Sequence, residues 1–383
     1  MNVDCYLLMA RSPFHFGVRG VGIEAASVVG HADTLWSAFC LGLEEIAGPA
    51  ELARFIAAYR SGEPPMLLSS AFPYAAARSS ADEDDWQPPR TAQAADAVRF
   101  YPKPLADPAG LPDKPALRKA LKGASYVSAA VFADWIAGRP MGAHLESDGL
   151  PITVESGQAW VSRAELKRLE GWIDDETEAI RLWVTGDVPR VTVDRVSSAS
   201  QVFQAGRVTF QPGGGLWLGI RWGSGWQPVG ESVLRALGDS GLGGERSAGH
   251  GQFTLLLLGA ETWADPAPGA PFINLAFYWP PDATAAQATL GDPRARYTLE
   301  VRRGYMASHR VVQPEEGGRV VGAALRRRSV CMAGEGSLLI ASGPGPFGGL
   351  ANVTPKLFAQ AGGHDVLRYG YAFPAAFGGA THD

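Results

Sequence analysis

The sequence predicts an α+β protein made of two ferredoxin-like (RRM-like) domains, the first carrying a large insertion. Three observations point there. A short apolar run, Val3 to Met9, is followed by a loop and an amphipathic helix, the way a βαββαβ unit begins. A helix at 230–238, a glycine-rich loop at 241–251 and an apolar run at 252–258 follow in the order that closes such a unit. Beyond the proline-marked linker Ala264-Asp-Pro-Ala-Pro-Gly269, strand-like runs start again. The expected domains are 1–260, with the insertion at about 60–185, and 265–383.

The first strand runs from Val3 to Met9, and the loop after it, 11–22, holds Arg11, His15 and Arg19. The first helix starts near Asp33-Thr34, with Asp33 read as its N-cap, and runs to about Ile46. Leu35, Trp36, Phe39, Leu43 and Ile46 recur at helical spacing and mark its buried face. Within the insertion, Asp82, Glu83, Asp84 and Asp85 form an acidic surface loop. Three helical pieces follow at Lys114–Lys122, Val127–Ile136 and Arg163–Leu169. The regular pattern resumes with strands at 190–194, 202–210 and 216–222 around Pro212-Gly-Gly-Gly215. After the linker, strands are expected at 272–279, 297–303, 328–333 and 337–341.

Composition narrows the function classes. The 383 residues suggest two domains, and a 46% hydrophobic content supports a large core. A net charge of −5 excludes a generally polycationic nucleic-acid binder, so contact with a polyanion must come from local patches. Cys5, Cys40 and Cys331 have no CxxC spacing, which argues against zinc and against a disulfide framework. The chain opens with no basic stretch followed by an apolar one, and no apolar run is long enough to cross a bilayer. A cytoplasmic protein without metal or cofactor, and without a membrane, is the expectation.

The glycine loop, Gly241-Leu-Gly-Gly-Glu-Arg-Ser-Ala-Gly-His-Gly251, is the most informative stretch. Glycines let a ligand approach the backbone closely, and Arg246 with the Ser247 hydroxyl suits phosphate. GxxxxGK[ST] is absent. The helix–loop–strand order also reverses that of a dinucleotide fingerprint. In a ferredoxin-like unit the loop after the first strand lies beside this one.

Other constellations are weaker. Arg190 and Arg195 flank a polar hairpin tip. Between Arg294 and Arg328 there are nine arginines and three glutamates; alternation along a strand splits such clusters between two faces. Lys103, Arg118, Lys119 and Lys122 form a second basic group. Phe100, Tyr101, Trp217, Trp222 and Tyr305 offer rings for stacking on unpaired bases, although most tryptophans in such a chain serve the core.

The pattern GxGGxRSxGxGxF of 241–253 resembles the glycine-rich loop of RAMP-type CRISPR proteins. More narrowly, the chain resembles the family of type III-A (Csm complex) effector subunits that cap the 5′ tag of the guide RNA (crRNA). His31-Ala-Asp-Thr-Leu-Trp-Ser-Ala38 is similar to that family's first-helix start. Leu68–Tyr74 and Phe100–Leu105 are similar to its inserted segments. Pro189–Arg195 is similar to its hairpin, and Gly334–Ser337 and Arg368–Phe373 to its closing motifs. Ala32 and Glu245 depart mildly, standing where serine and aspartate are usual.

The resemblance implies a non-catalytic RNA-binding subunit in antiviral defence. Its partners would be the crRNA 5′ tag, the large polymerase-like signature subunit and the backbone RAMP subunit. It assigns RNA contact to His15, Arg19, Arg195, Gly243, Gly244, Arg246, Ser247, Gly249 and His250. The alternative is a metal-independent endoribonuclease that processes guide RNA, with His15 or His31 as general base or acid toward a 2′-hydroxyl. A blander role for His31 is a satisfied hydrogen bond beside the helix start.

Overall fold

The computed structural model describes residues 1–17, 26–78, 96–174, 176–193, 200–307, 311–312, 320–322 and 325–379. Its centre is β1 (Asn2–Ala10), which pairs antiparallel with Gly214–Trp222 on one side and Phe253–Thr262 on the other. Val3, Cys5, Tyr6, Leu7 and Leu8 are all buried. An unbroken apolar run therefore reads as a central strand covered on both faces. Nine strands make up this sheet. In order they are Phe253–Thr262, β1, Gly214–Trp222, Phe72–Ala75, Val98–Pro102, Tyr126–Ser128, Ala159–Trp160 and Thr153–Val154, with Met66–Leu68 also on Gly214–Trp222. Among the described residues of this sheet, only Tyr126–Ser128 and Ala159–Trp160 run parallel.

The helices are α1 (Ala32–Ala47), α2 (Pro49–Arg60), α3 (Pro115–Gly123), α4 (Ala129–Ile136), α5 (Arg163–Arg168), α6 (Gln227–Ser240), α7 (Ala283–Thr289) and α8 (Lys356–Gln360). Leu35, Phe39 and Leu43 of α1 and Val233, Leu234 and Leu237 of α6 bury their apolar stripes in one core with Leu8, Leu218 and Ile220 of the sheet. α5 is begun by a capping box, Ser162 with Glu165.

The segment expected as an insertion adds strands to the central sheet, lengthening it from Phe72–Ala75 outward. Residues 127–136, expected to be helical throughout, divide into the end of a strand and α4, because Val127 and Ser128 are held in the ladder by Tyr101 and Phe100. Tertiary pairing overrides the local periodicity there. α2 follows α1 directly, and Pro49 sits in its first turn.

Beyond the linker the strands are spread over small sheets. Pro271–Asn274 lies between Leu338–Ile340 and Pro374–Ala376, Leu299–Arg302 pairs with Val330–Ala333, and Gly348–Asn352 pairs with Leu367–Tyr371. Ile273, Leu275, Tyr369, Tyr371 and Phe373 enter the same core as β1 and α1. Among the described residues no helix is long and apolar enough to cross a membrane.

Two readings of single residues are corrected. Asp33 is not an N-cap, since His31 holds that position and makes no side-chain capping bond. Asp33 lies inside the first turn, 1% exposed, and accepts hydrogen bonds from Arg302 at 2.9 and 3.1 Å and from Arg368. Phe100, Tyr101 and Trp217 are not free to stack on bases. They are sealed in the core, with Trp217 Nε1 donating to the Phe100 carbonyl at 2.7 Å.

Candidate nucleic-acid interface

The site forms where the turn after β1 meets the loop after α6. β1 ends at Ala10, and Phe14 bridges to Val208 in both directions at 2.8 Å. This pins His15 between the glycine loop and the long hairpin Trp183–Val193/Ser200–Phe210. The His15 carbonyl accepts from Gly244 N–H at 2.8 Å, and its Nδ1 lies 2.6 Å from the Gly206 carbonyl. The expected closeness of the two loops is therefore observed.

The glycines serve this packing first. Gly243 and Gly251 have φ of +91° and +81°, a region costly for other residues. A Cβ at Gly243 would strike the His15 carbonyl, one at Gly251 the Leu242 backbone, and one at Gly244 would come within 2.6 Å of the His15 ring. Only at Gly249 does the added Cβ of this loop meet nothing within 4 Å. The chain's own backbone and His15 thus fill the space at most of these glycines, and the open stretch is 246–249.

That stretch begins with a 3-10 turn, Arg246–Ala248, and Arg246, Ser247 and Gly249 are exposed. Neither the Arg246 nor the Ser247 side chain has an ion pair or hydrogen bond among the described residues. His250 turns inward, 5% exposed, and its Nδ1 has no hydrogen-bond partner.

The hairpin supplies charge. Direct register pairs put Trp183 opposite Phe210 and Val191 opposite Val202 on one face. The other face presents Arg190 opposite Phe203 and Arg207 opposite Gly186. Arg190 is half-buried with its Nε unpartnered, while Arg207 is exposed. Burial pushes the His250 imidazole below its usual range, and Arg190 adds to this; Glu245 pulls the other way, more strongly than His15 or Arg207 pushes. His250 is thus a neutral ring in a cationic pocket. With few carboxylates to neutralise it, the end of the molecule built by His15, Arg190, Arg207, Arg246 and His250 can attract and hold an anionic ligand.

Arg207 was missed in the sequence. The signal was available in the alternation that places it four ladder pairs from Arg190, on the same face. Arg19 and Arg195 lie outside the described residues, as does the acidic loop at 82–85. His31 does not join the site. Its Nδ1 lies 2.8 Å from Glu335 Oε1, and Glu335 also accepts from Ser70; this is the satisfied hydrogen bond beside the helix start. The arginines of 294–328 are largely engaged elsewhere: Arg302 with Asp33, Arg294 with Asp292, Arg326 with Tyr305. Lys103 donates to the Leu121 carbonyl, and Arg118 pairs with Asp113. No cluster of three or more potential metal ligands occurs among the described residues.

No family model matches the chain, and no curated protein does. Solved structures do match along its whole length. A chain of the crystallised Csm3–Csm4 subcomplex of the type III-A CRISPR-Cas interference complex superposes with a TM-score of 0.54 at 14% identity, over 96% of this chain and 99% of that one. A chain of the Csm1–Csm4 cassette in complex with cA4 gives a TM-score of 0.51 at 16% identity, over all of both chains. The chain therefore shares the mixed α+β fold, with its large central sheet, of subunits in type III-A complexes.

Proposed function

We propose that the chain is a RAMP-type subunit of a type III-A CRISPR effector complex. In this reading it caps the repeat-derived 5′ tag of the guide RNA and docks the large signature subunit and the backbone RAMP subunit. The observation that carries it is the arginine-rich end formed by the glycine loop, His15 and the arginine face of the hairpin, set in a fold shared end to end with chains from such complexes. Phosphates would be held by Arg246, Arg207 and Arg190, with the Ser247 hydroxyl adding a hydrogen bond. These contacts fix register without reading sequence.

The role is one of binding. His15 is buried with Nδ1 on the Gly206 carbonyl, and His31 holds Glu335 through its Nδ1, so each ring serves the packing around it. Two ferredoxin-like units, the first with added strands and helices between α2 and Gly214–Trp222, belong to the same proposal; the sheet order Phe253–Thr262, β1, Gly214–Trp222, Phe72–Ala75 supports it for the first half.

The test is a titration of labelled guide RNA, with and without its 5′ tag, against the purified chain and against the assembled complex across a salt series without metal. Tag-dependent binding that leaves the RNA intact supports the proposal. Tag-independent binding, or specific cutting abolished by His15→Ala, refutes it.

A further inference from the structure

A groove of about 880 Å³ runs between α1, α2 and the segments 306–307 and 364–367, on other elements than the cationic end. Its walls are apolar: Trp36, Leu52, Ile56, Met306, Val366 and Leu367 line it. Arg327 stands among them, half-buried, with no ion pair or side-chain hydrogen bond among the described residues and with its Nε shut off from solvent without an acceptor. Beside it, Arg302 and Arg368 already share the one Asp33 carboxylate. Burial, and then repulsion by Arg368, push the Arg327 guanidinium down to about 10. Asp33 pulls the other way without bonding to Arg327; a charge partly shut off from water and without a paired counter-ion is costly to a fold, and the bonded partner that is missing here is an anion.

The kind of anion follows from the rim. Glu44 and Asp365 line the groove, Asp365 already paired with Arg60 at 2.7 Å. Carboxylates at the rim repel a phosphate backbone, and an apolar floor gives it nothing to bind. We propose that this groove is a protein-docking site that takes an apolar segment of a partner subunit carrying one aspartate or glutamate, whose carboxylate pairs with Arg327. The inference rests on the subunit reading for the existence of a partner, but not on the RNA site. Leu41, 36% exposed at the groove's edge, widens the apolar surface available to that segment.

The experiment uses the full chain co-expressed with the large signature subunit and with the backbone subunit. Hydrogen exchange is compared between the free chain and each complex. The expected result is protection of 36–56 and 364–367 by one of the two partners, and at least a tenfold loss of its affinity in Arg327→Glu. Leu41→Asp, at an exposed position, should weaken the same complex and guards against a folding defect in the first variant. Both variants should bind tagged guide RNA as the parent does.

A complex that forms with the groove unprotected and both variants unaffected overturns the docking proposal and leaves the subunit reading intact. Protection of the groove by guide RNA alone also overturns it. Failure of both subunits to bind removes the docking proposal and the subunit reading together.

Discussion

Arg368 donates to the carboxylate of Asp33 across 335 residues of sequence, and both side chains are sealed from solvent. With Arg302 donating to both oxygens of the same carboxylate, this pair ties the first turn of α1 to the strands beyond the linker. Removing the carboxylate leaves guanidiniums buried and uncompensated. Asp33→Ala should therefore cost about 3–5 kcal/mol, read as a lowered urea midpoint. A loss below about 1 kcal/mol would show that the pair is not a structural link between the halves.

The same pair sets a response to acid. Burial alone would raise the Asp33 carboxyl, but Arg302 and Arg368 hold it well below the usual range. Glu335 is held low against its own burial by His31 and Ser70. A carboxylate with a depressed folded pKa stabilises fully above its unfolded value of about 4 and loses that contribution as pH falls through the folded value. Stability should thus drop steeply below about pH 4, and Asp33→Asn should flatten the drop. Equal slopes in parent and variant between pH 5 and 2.5 would contradict this.

His250 acts in the same direction but in a higher pH window. Its imidazole is depressed, so the unfolded chain binds its proton first, and stability is lost as pH falls below the ordinary histidine value of about 6.5. His250→Gln should remove that part of the slope between pH 7 and 5.5, measured by chemical denaturation.

Gly244 and Gly249 separate packing from openness. Gly244→Ala forces the His15 ring aside and should cost about 1–3 kcal/mol as an overpacked site. Gly249→Ala meets no neighbour and carries only the backbone cost of φ +82°, roughly 1–2 kcal/mol. Thermal melts of the two variants should rank in that order, with RNA affinity following the displacement of His15.

Arg190 and Arg207 share one hairpin face and should act alike. Arg207→Ala should weaken guide-RNA binding uniformly across guide sequences and reduce the salt slope by about 1, as expected for one phosphate contact. A guide-dependent loss would mean that Arg207 reads bases.

Much of this architecture is legible in the chain itself. Val3–Met9, the helix at 32–47 and the strand after the glycine loop declare themselves because one period dominates each. The short strands at 72–75, 98–102 and 126–128 do not, because each is only three to five residues long and exists through its neighbours in the ladder. The glycine loop and its closeness to the turn after β1 were visible in the sequence, but the use of its glycines was not. Only the structure places His15 against Gly243 and Gly244. Asp33 misled for a related reason: a local cap is inferred from adjacent residues, whereas its partners lie at 302 and 368.

The central claim is that the cationic end holds the tag. Photocrosslinking tests it most directly, using guide RNA with 4-thiouridine placed singly in the 5′ tag or in the guide body and bound in the assembled complex. The account predicts crosslinks from the tag to residues 246–250 and to the Arg190–Arg207 face of the hairpin, and none there from the distal guide. Tag crosslinks confined to other surfaces or to another subunit would contradict it.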